Sequence, residues 1–348
     1  MTIGDDLAQI ANLFKPRFFQ SPDLPVILAV ALPTERLRET TSFPECALPE
    51  AGRIASGRGL SENDALRTAL GEAVELVSCC RWDDDLRSFG DIPSHERHLQ
   101  TRDVFGFSPE QEAVRERWND LWGDHDPWPE VVGDDAHLWV CGKAQSSNST
   151  VWISADALFV GGATGQSHNP MGSTGCASAP SLEAAIEAGL LELVERDAVG
   201  RWWWQKRAPQ ALPHELLDPW PELRAALRQR DRVTRLAILD SRFGIPCVIA
   251  FSHEPDGRFV ACGFSADHDW HDAALAAVLE MADSEFRLRI SSNVPENGVL
   301  REWMHRITAA DARLQLSAVK APPSPQTEAL KNIDQDIFIF NMTRSQIR

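Results

Sequence analysis

The 348-residue chain is long enough for one large domain or two ordinary ones, and at 43% hydrophobic and 24% charged it has an ordinary globular composition. Its net charge of −17 argues against a nucleic-acid partner, because grip on a phosphate backbone relies on Lys and Arg. No uncharged apolar run approaches about 18 residues, and the opening Met1-Thr2-Ile3-Gly4-Asp5-Asp6 is acidic, so neither a membrane partner nor a signal peptide is expected. The seven cysteines (Cys46, Cys79, Cys80, Cys141, Cys176, Cys247, Cys262) show no Cys-x-x-Cys and no zinc-type spacing. That scatter fits a reducing, cytoplasmic compartment, with Cys79 and Cys80 as small core residues.

In chain order, Ala8–Phe14 reads as a helix and Val26–Leu32 as a strand. Ser56-Gly57-Arg58-Gly59 reads as a glycine turn, and Ser61 or Asn63 caps a helix over Asp64–Cys80. Residues 83–135 are rich in Asp, Glu, Arg and Trp and suggest a polar insert with one helix near Pro109–Leu121. Leu138–Cys141 and Val151–Val160 read as strands. A glycine-rich connection, Gly161–Gly175, leads to the cap Ser181 and a second helix reaching Trp204. Pro221–Arg230 is a helix with proline in its first turn. Leu236–Asp240, Pro246–Ser252 and Arg258–Phe264 read as three strands, with turns at Phe243-Gly244 and Pro255-Asp256-Gly257. A third long helix spans Asp272–Ile290, and Ile337–Phe340 is a final strand. Strands followed by long helices predict an α/β (α+β) fold of mixed sheets packed with long buried helices. Residues 1–50 form an N-terminal segment and 51–348 one domain.

The chemistry is concentrated in the long helices. Glu72 and Glu75 lie in an apolar stretch, and Glu192 and Glu195 repeat the pattern 120 residues later, as Arg201 repeats Arg81. This matched spacing predicts an internal duplication. Residues three apart share a helix face, so each helix projects two carboxylates in one direction. A helix apolar on nearly every side is buried, and a buried carboxylate is costly without a partner. Four such groups call for a cation. The third helix carries Glu280 in a similar run, with Asp283 at the second carboxylate position.

Oxygen ligands select a hard cation, Mg²⁺ ahead of Ca²⁺ or Mn²⁺, and Mg²⁺ commonly shares its site with phosphates. Arg196 could grip such phosphates, and the Ser56–Gly59 turn could offer backbone N–H groups and Arg58. A single Glu-x-x-Glu is a weak signal, and a duplication whose glutamates pair with core arginines is the bland alternative. A di-iron bundle is disfavoured because neither pair has His three residues on. His268-Asp269-Trp270-His271-Asp272 reads as a turn and cap rather than a metal cluster, and Asp124-His125-Asp126 as solvated surface. Gly161-Gly162-Ala163-Thr164-Gly165 lacks the Gly-Lys-Ser/Thr of a phosphate loop.

From about Ser56 onward the chain resembles the YcaO-domain family. The resemblance rests on ordered blocks: Ser56-Gly57-Arg58-Gly59-Leu60-Ser61 leading to Glu72 and Glu75; Val151-Trp152-Ile153-Ser154-Ala155; Gly175-Cys176-Ala177; Glu192-Leu193-Val194-Glu195-Arg196-Asp197; Gly244-Ile245-Pro246-Cys247-Val248-Ile249-Ala250; and Ala277-Val278-Leu279-Glu280. It implies a YcaO-like, ATP-binding fold and Mg²⁺-ATP-dependent activation of peptide backbone amides, most commonly cyclodehydration of Cys, Ser or Thr to azolines in a ribosomal precursor peptide. By this likeness Glu72, Glu75, Glu192 and Glu195 hold Mg²⁺. Arg196 contacts phosphate, Ser56 and Arg58 lie at the nucleotide, and Glu280 closes the site. The implied partners are the precursor peptide and a separate leader-peptide-binding protein, with a homodimer left open. No catalytic acid or base is assigned.

The chain departs from the family where Ser, Asn and Glu are usual, having Ala177, Pro180 and Ala184, with Ser178 or Ser181 as partial substitutes. Ala276 replaces an expected Arg and Arg58 an expected Lys, and the proline-rich C-terminus is expected to be missing, since Pro322-Pro323-Ser324-Pro325 comes too early. Two rivals therefore stand beside cyclodehydration: a degenerate, non-catalytic scaffold that binds peptide or partner, and an enzyme forming thioamides or amidines.

Overall fold

The computed structural model describes residues 12–39, 55–80, 87–88, 92–100, 108–122, 138–159, 172–205, 208–292, 308–310 and 336–343, together with residues 104, 306, 314, 316, 322, 323, 330 and 333. The first sheet is antiparallel: β1 (Phe14–Gln20), β2 (Ile27–Pro33) and β3 (Ala55–Gly59), in that order. A short helix, α1 (Glu35–Glu39), follows β2. Strand β1 was not legible from its sequence, because Phe14-Lys15-Pro16-Arg17-Phe18-Phe19-Gln20 does not alternate apolar with polar. Residues 1–11, which hold most of the expected Ala8–Phe14 helix, lie outside the described residues.

Ser56–Gly59 is not a turn, as the sequence suggests, but strand β3, paired residue for residue with β2. Its glycines admit a helix. A Cβ on Gly57 would stand 2.1 Å from the Ala69 nitrogen and 2.2 Å from the Ala65 oxygen of α2 (Glu62–Cys79). The Ser61 hydroxyl caps α2, accepting from the Asp64 N–H at 3.2 Å, as expected of an N-cap serine. Ala65, Ala69, Leu70, Ala73 and Val77 form its buried stripe against Ala29, Ala31 and Ala55 of the sheet.

A second antiparallel sheet runs β11-β10-β9-β8, from β8 (Gln210–Leu212), β9 (Val233–Ile238), β10 (Cys247–His253) and β11 (Ala261–Ala266). Alternate residues of a strand face opposite sides. Leu236, Val248 and Ala250 therefore pack on α7 (Trp270–Ser292), whereas Ala237, Cys247, Ile249 and Phe251 pack on α5 (Leu182–Gln205). Helix α7 also shares its core with Val26 and Leu28, so it lies between the two sheets. Between β8 and β9 comes α6 (Pro221–Gln229), with proline in its first turn.

A third sheet holds β4 (Arg87–Ser88), β5 (Arg97–His98), β6 (Leu138–Ala144), β7 (Thr150–Ser154) and β12 (Phe338–Ile339). The insert contributes α3 (Pro109–Trp122). The strand expected over Val151–Val160 stops at Ser154, where α4 (Ala155–Leu158) begins. Among the described residues no helix is long and apolar enough to cross a membrane.

Two expectations change. Helix α5 is buried on one side only, with Leu182, Leu193, Trp203 and Trp204 exposed, because only the stripe of Val194, Ala198 and Trp202 meets the sheet. The internal duplication is not established. Helix α2 packs on β3, the strand just before it, whereas α5 packs on β10 and β11, which follow it, so matched spacing does not bring matched surroundings.

One ionic network ties α7 to its sheet. Glu285 is 5% exposed and meets Arg230 at 3.0 Å and Arg232 at 3.4 Å; the Ser252 hydroxyl also donates to it. Without the Glu285 charge Arg230 keeps only the longer contact to Asp23 at 3.6 Å, while Arg232 keeps Glu254 at 2.7 Å. Glu285→Gln is expected to destabilise the protein by about 3 kcal/mol, read as a lower urea midpoint with unchanged slope.

Candidate functional site

Strand β3 and the central turns of α2, α5 and α7 bring carboxylates and arginines together. In β3, Gly57 faces α2, so Ser56 and Arg58 face α7. The Ser56 hydroxyl donates to Asp283 Oδ2 at 3.1 Å, and its N–H donates to Glu72 Oε2 at 3.3 Å. Arg58 Nη2 meets Glu280 Oε2 at 3.0 Å, and its Nη1 lies 4.0 Å from Asp283. On α5, Arg196 Nη1 meets Glu195 Oε1 at 2.6 Å, and its Nη2 meets Glu192 Oε1 at 3.4 Å. The Gly175 N–H donates to the other Glu192 oxygen at 2.9 Å.

Like charges this close perturb one another. Burial pushes the Glu75 carboxyl up to about 9, and Glu192, Cys176 and Glu72 reinforce the shift; every interaction acting on it raises it. Burial pushes Glu195 up to about 7 against the pull of Arg196, with Glu280 and Glu192 adding to the rise. Glu72 and Glu192 are also raised by loss of water, offset by Arg58, Arg287 and the Ser56 N–H for Glu72, and by the Gly175 N–H and Arg196 for Glu192. Glu72 nevertheless keeps one side open to solvent. Glu72, Glu75, Glu192, Glu195, Glu280, Ser56, Arg58 and Arg196 thus belong to one region.

Several details depart from the sequence reading. Ser56–Gly59 lies on edge strand β3 rather than in a turn, and its Ser56 N–H is given to Glu72. Ser178 and Ser181, expected as substitutes near the nucleotide, are committed elsewhere. Ser178 donates to the Gly71 carbonyl at 2.6 Å, and Ser181 caps α5 through the Ala184 N–H at 3.2 Å. Asp269 caps α7, accepting from His271 and Asp272, so the His268–Asp272 run is a cap as expected. Residues 160–171 and 123–137, which hold the glycine-rich run and Asp124-His125-Asp126, lie outside the described residues.

Three participants were missed in the sequence. Cys79, buried in α2, interacts with Cys176 in the loop before α5, which pushes the Cys79 thiol up and holds Cys176 down. Arg287 Nε donates to Asp283 Oδ2 at 3.0 Å, and its Nη2 donates to Ser56 Oγ at 2.5 Å. The signal for Arg287 was present, since residues 280, 283 and 287 share one face of a helix. No local pattern announces a contact between Cys79 and Cys176, nearly a hundred residues apart.

Among the described residues no three His, Cys, Asp or Glu side chains are grouped to hold one metal ion. Mg²⁺ does not require that. It is held through one or two carboxylates, with waters and phosphate oxygens completing the shell. Hard oxygen donors that repel one another, flanked by three arginines, fit Mg²⁺ carried with a polyphosphate. A separate hollow of about 290 Å³ at the end of α5, lined by Arg201, Trp202, Gln205 and Asp240, contains none of these carboxylates. Its Asp240 is paired with Arg201 at 3.3 Å.

Residues 56–338 match the family model described as YcaO cyclodehydratase, ATP- and Mg²⁺-binding. No curated protein matches the chain by sequence. Among solved structures it is similar to a heterocyclase in complex with substrate and cofactor, with TM-score 0.79 and 20% identity over 100% of this chain and 51% of that one. It is also similar to YcaO from Methanopyrus kandleri bound with AMPPCP and Mg²⁺, with TM-score 0.67 and 16% identity over 99% and 88%. The E. coli microcin synthetase McbBCD complex follows, with TM-score 0.59 and 14% identity over 91% and 79%. These likenesses establish the mixed α/β fold. The chain spans about half the length of the heterocyclase.

Proposed function

The chain belongs to the YcaO cyclodehydratase family, whose model is ATP- and Mg²⁺-binding, and from that premise we propose that it uses Mg²⁺-ATP to activate backbone amides of a ribosomal precursor peptide. In this reading a neighbouring Cys, Ser or Thr side chain gives up its proton and adds to the amide carbon, and the γ-phosphoryl group of ATP passes to the amide oxygen, leaving ADP. That oxygen then departs as phosphate as the amide nitrogen loses its proton, and the new C=N bond completes the azoline. The peptide is delivered by a separate leader-binding protein.

The observation that carries the proposal is the meeting of Glu72 and Glu75 from α2 with Glu192 and Glu195 from α5, all with raised pKa, beside arginines from β3 and α5. These glutamates are the proposed holders of Mg²⁺. When bound, Mg²⁺ neutralises phosphate charge and favours phosphoryl transfer. Arg196 and Arg58 exchange their carboxylate partners for phosphate oxygens, and Ser56 orients the acidic groups around it. Glu280 closes the site opposite Arg58.

A scaffold without turnover is the second reading. It is favoured by the close Arg196–Glu195 pair and by the commitment of Ser178 and Ser181 to structural hydrogen bonds. Calorimetric titration with AMPPCP and Mg²⁺ separates the two, with micromolar binding expected of the enzyme. Phosphate release should then rise when the precursor peptide and its leader-binding partner are added. Absence of nucleotide binding would end the enzymatic reading.

A further inference from the structure

Arg287 stands on the same face of α7 as Glu280 and Asp283, at the solvent side of the carboxylate cluster. Its guanidinium is oriented by two buried anchors: Nε donates to Asp283 at 3.0 Å and Nη2 to Ser56 Oγ at 2.5 Å. Ser56 is 3% and Asp283 6% exposed, yet the Arg287 side chain is 56% exposed. One edge of the planar group is therefore held inside while the rest faces open space.

A guanidinium has five N–H donors in a rigid fork suited to phosphate. Two are spent on these anchors, and the remainder are uncommitted among the described residues. The other arginines of the site are placed differently. Arg58 is 26% exposed and paired with Glu280, and Arg196 is divided between Glu192 and Glu195. Both must release a carboxylate to take a phosphate, whereas Arg287 need not move. Its anchor Ser56 donates its own N–H to Glu72 Oε2 at 3.3 Å, so Arg287 stands one residue away from a proposed Mg²⁺ ligand.

We propose that Arg287 is a preset phosphate-binding residue of the nucleotide site, gripping the β- or γ-phosphate through its outward edge while Ser56 and Asp283 hold its inward one. The proposal rests on the Mg²⁺-ATP reading and names a residue that reading did not contain. It predicts selectivity for polyphosphate over monophosphate, because a donor fixed at the rim contributes only to a ligand long enough to reach it.

The test is calorimetric titration of the full chain with AMPPCP plus Mg²⁺ and, separately, with AMP. Arg287→Gln is expected to weaken AMPPCP about tenfold or more, the loss typical of one charge-assisted contact, and to change AMP by less than about twofold. Arg287→Lys should recover part of the loss, since it restores charge without the fork. AMPPCP binding unchanged in Arg287→Gln, with normal binding by the parent protein, would overturn this inference alone. So would equal losses for AMPPCP and AMP together with a lower melting temperature, the mark of a purely structural anchor. A parent protein that binds no AMPPCP would remove both this inference and the reading beneath it.

Discussion

Glu195→Gln and Glu75→Gln are each expected to lower ATP turnover by at least about 10³-fold, a loss of several kcal/mol of metal-assisted stabilisation. Gln keeps the size of Glu but cannot supply a charged ligand. The same substitutions should make the metal-free protein more stable, because each removes a carboxylate that folding drives out of water and towards its like. The gain should depend on pH in a defined direction. A carboxyl whose folded pKa is raised holds its proton more tightly in the folded state, so stability is fullest below the usual value of 4.5 and falls as pH rises above it. The fall ends near the folded pKa, about 7 for Glu195 and about 9 for Glu75.

Melting curves in EDTA should therefore show the Glu195→Gln advantage growing from about pH 5 and levelling near pH 7, and that of Glu75→Gln still growing towards pH 9. Mg²⁺ affinity should move oppositely in the parent protein, tightening as pH rises, because bound carboxylates must be deprotonated. Normal turnover in either variant would refute the metal assignment. A pH-independent difference in melting temperature would refute the electrostatic account of the cluster.

Gly57→Ala is expected to cost more than about 5 kcal/mol, enough to leave little folded protein. Its Cβ would fall 2.1 Å from one backbone atom and 2.2 Å from another, and backbone cannot rotate away as a flexible side chain can. Relief requires lifting α2 from β3, which would carry Glu72 away from Ser56. The control is Gly200→Ala in α5, where a Cβ meets nothing within 4 Å. There the helix-interior preference for alanine should stabilise by up to about 1 kcal/mol. Urea titration of both variants decides the matter, and a Gly57→Ala protein with near-parental stability would contradict the close approach of helix and strand.

The long helices were legible because their signals are local. Ser61 and Ser181 cap where a serine before an apolar run should cap, and Glu72 with Glu75, or Glu192 with Glu195, share a face by helical geometry alone. The family blocks named the same glutamates from another direction. Strand β3 was misread for a physical reason: glycine marks turns by its freedom in φ, but here it marks the absence of a side chain beneath a helix. A sequence records the glycine and not which of these needs it. The inferred duplication is not established for a similar reason, since equal spacing says nothing of which sheet each helix meets.

Composition, periodicity and capping chemistry by themselves determined the fold class, the helices that carry the acidic pairs, and the preference for a hard cation. Each depends on side chains a few residues apart, or on a sum over the chain. Tertiary structure alone decided that Ser56 and Arg58 lie on a strand, that Arg287 is anchored by Asp283 and Ser56, and that Cys79 meets Cys176. It also decided how far the pKa values of Glu75 and Glu195 rise. Those properties depend on which groups from distant segments share a space that water has left, and that is settled only when the layers close.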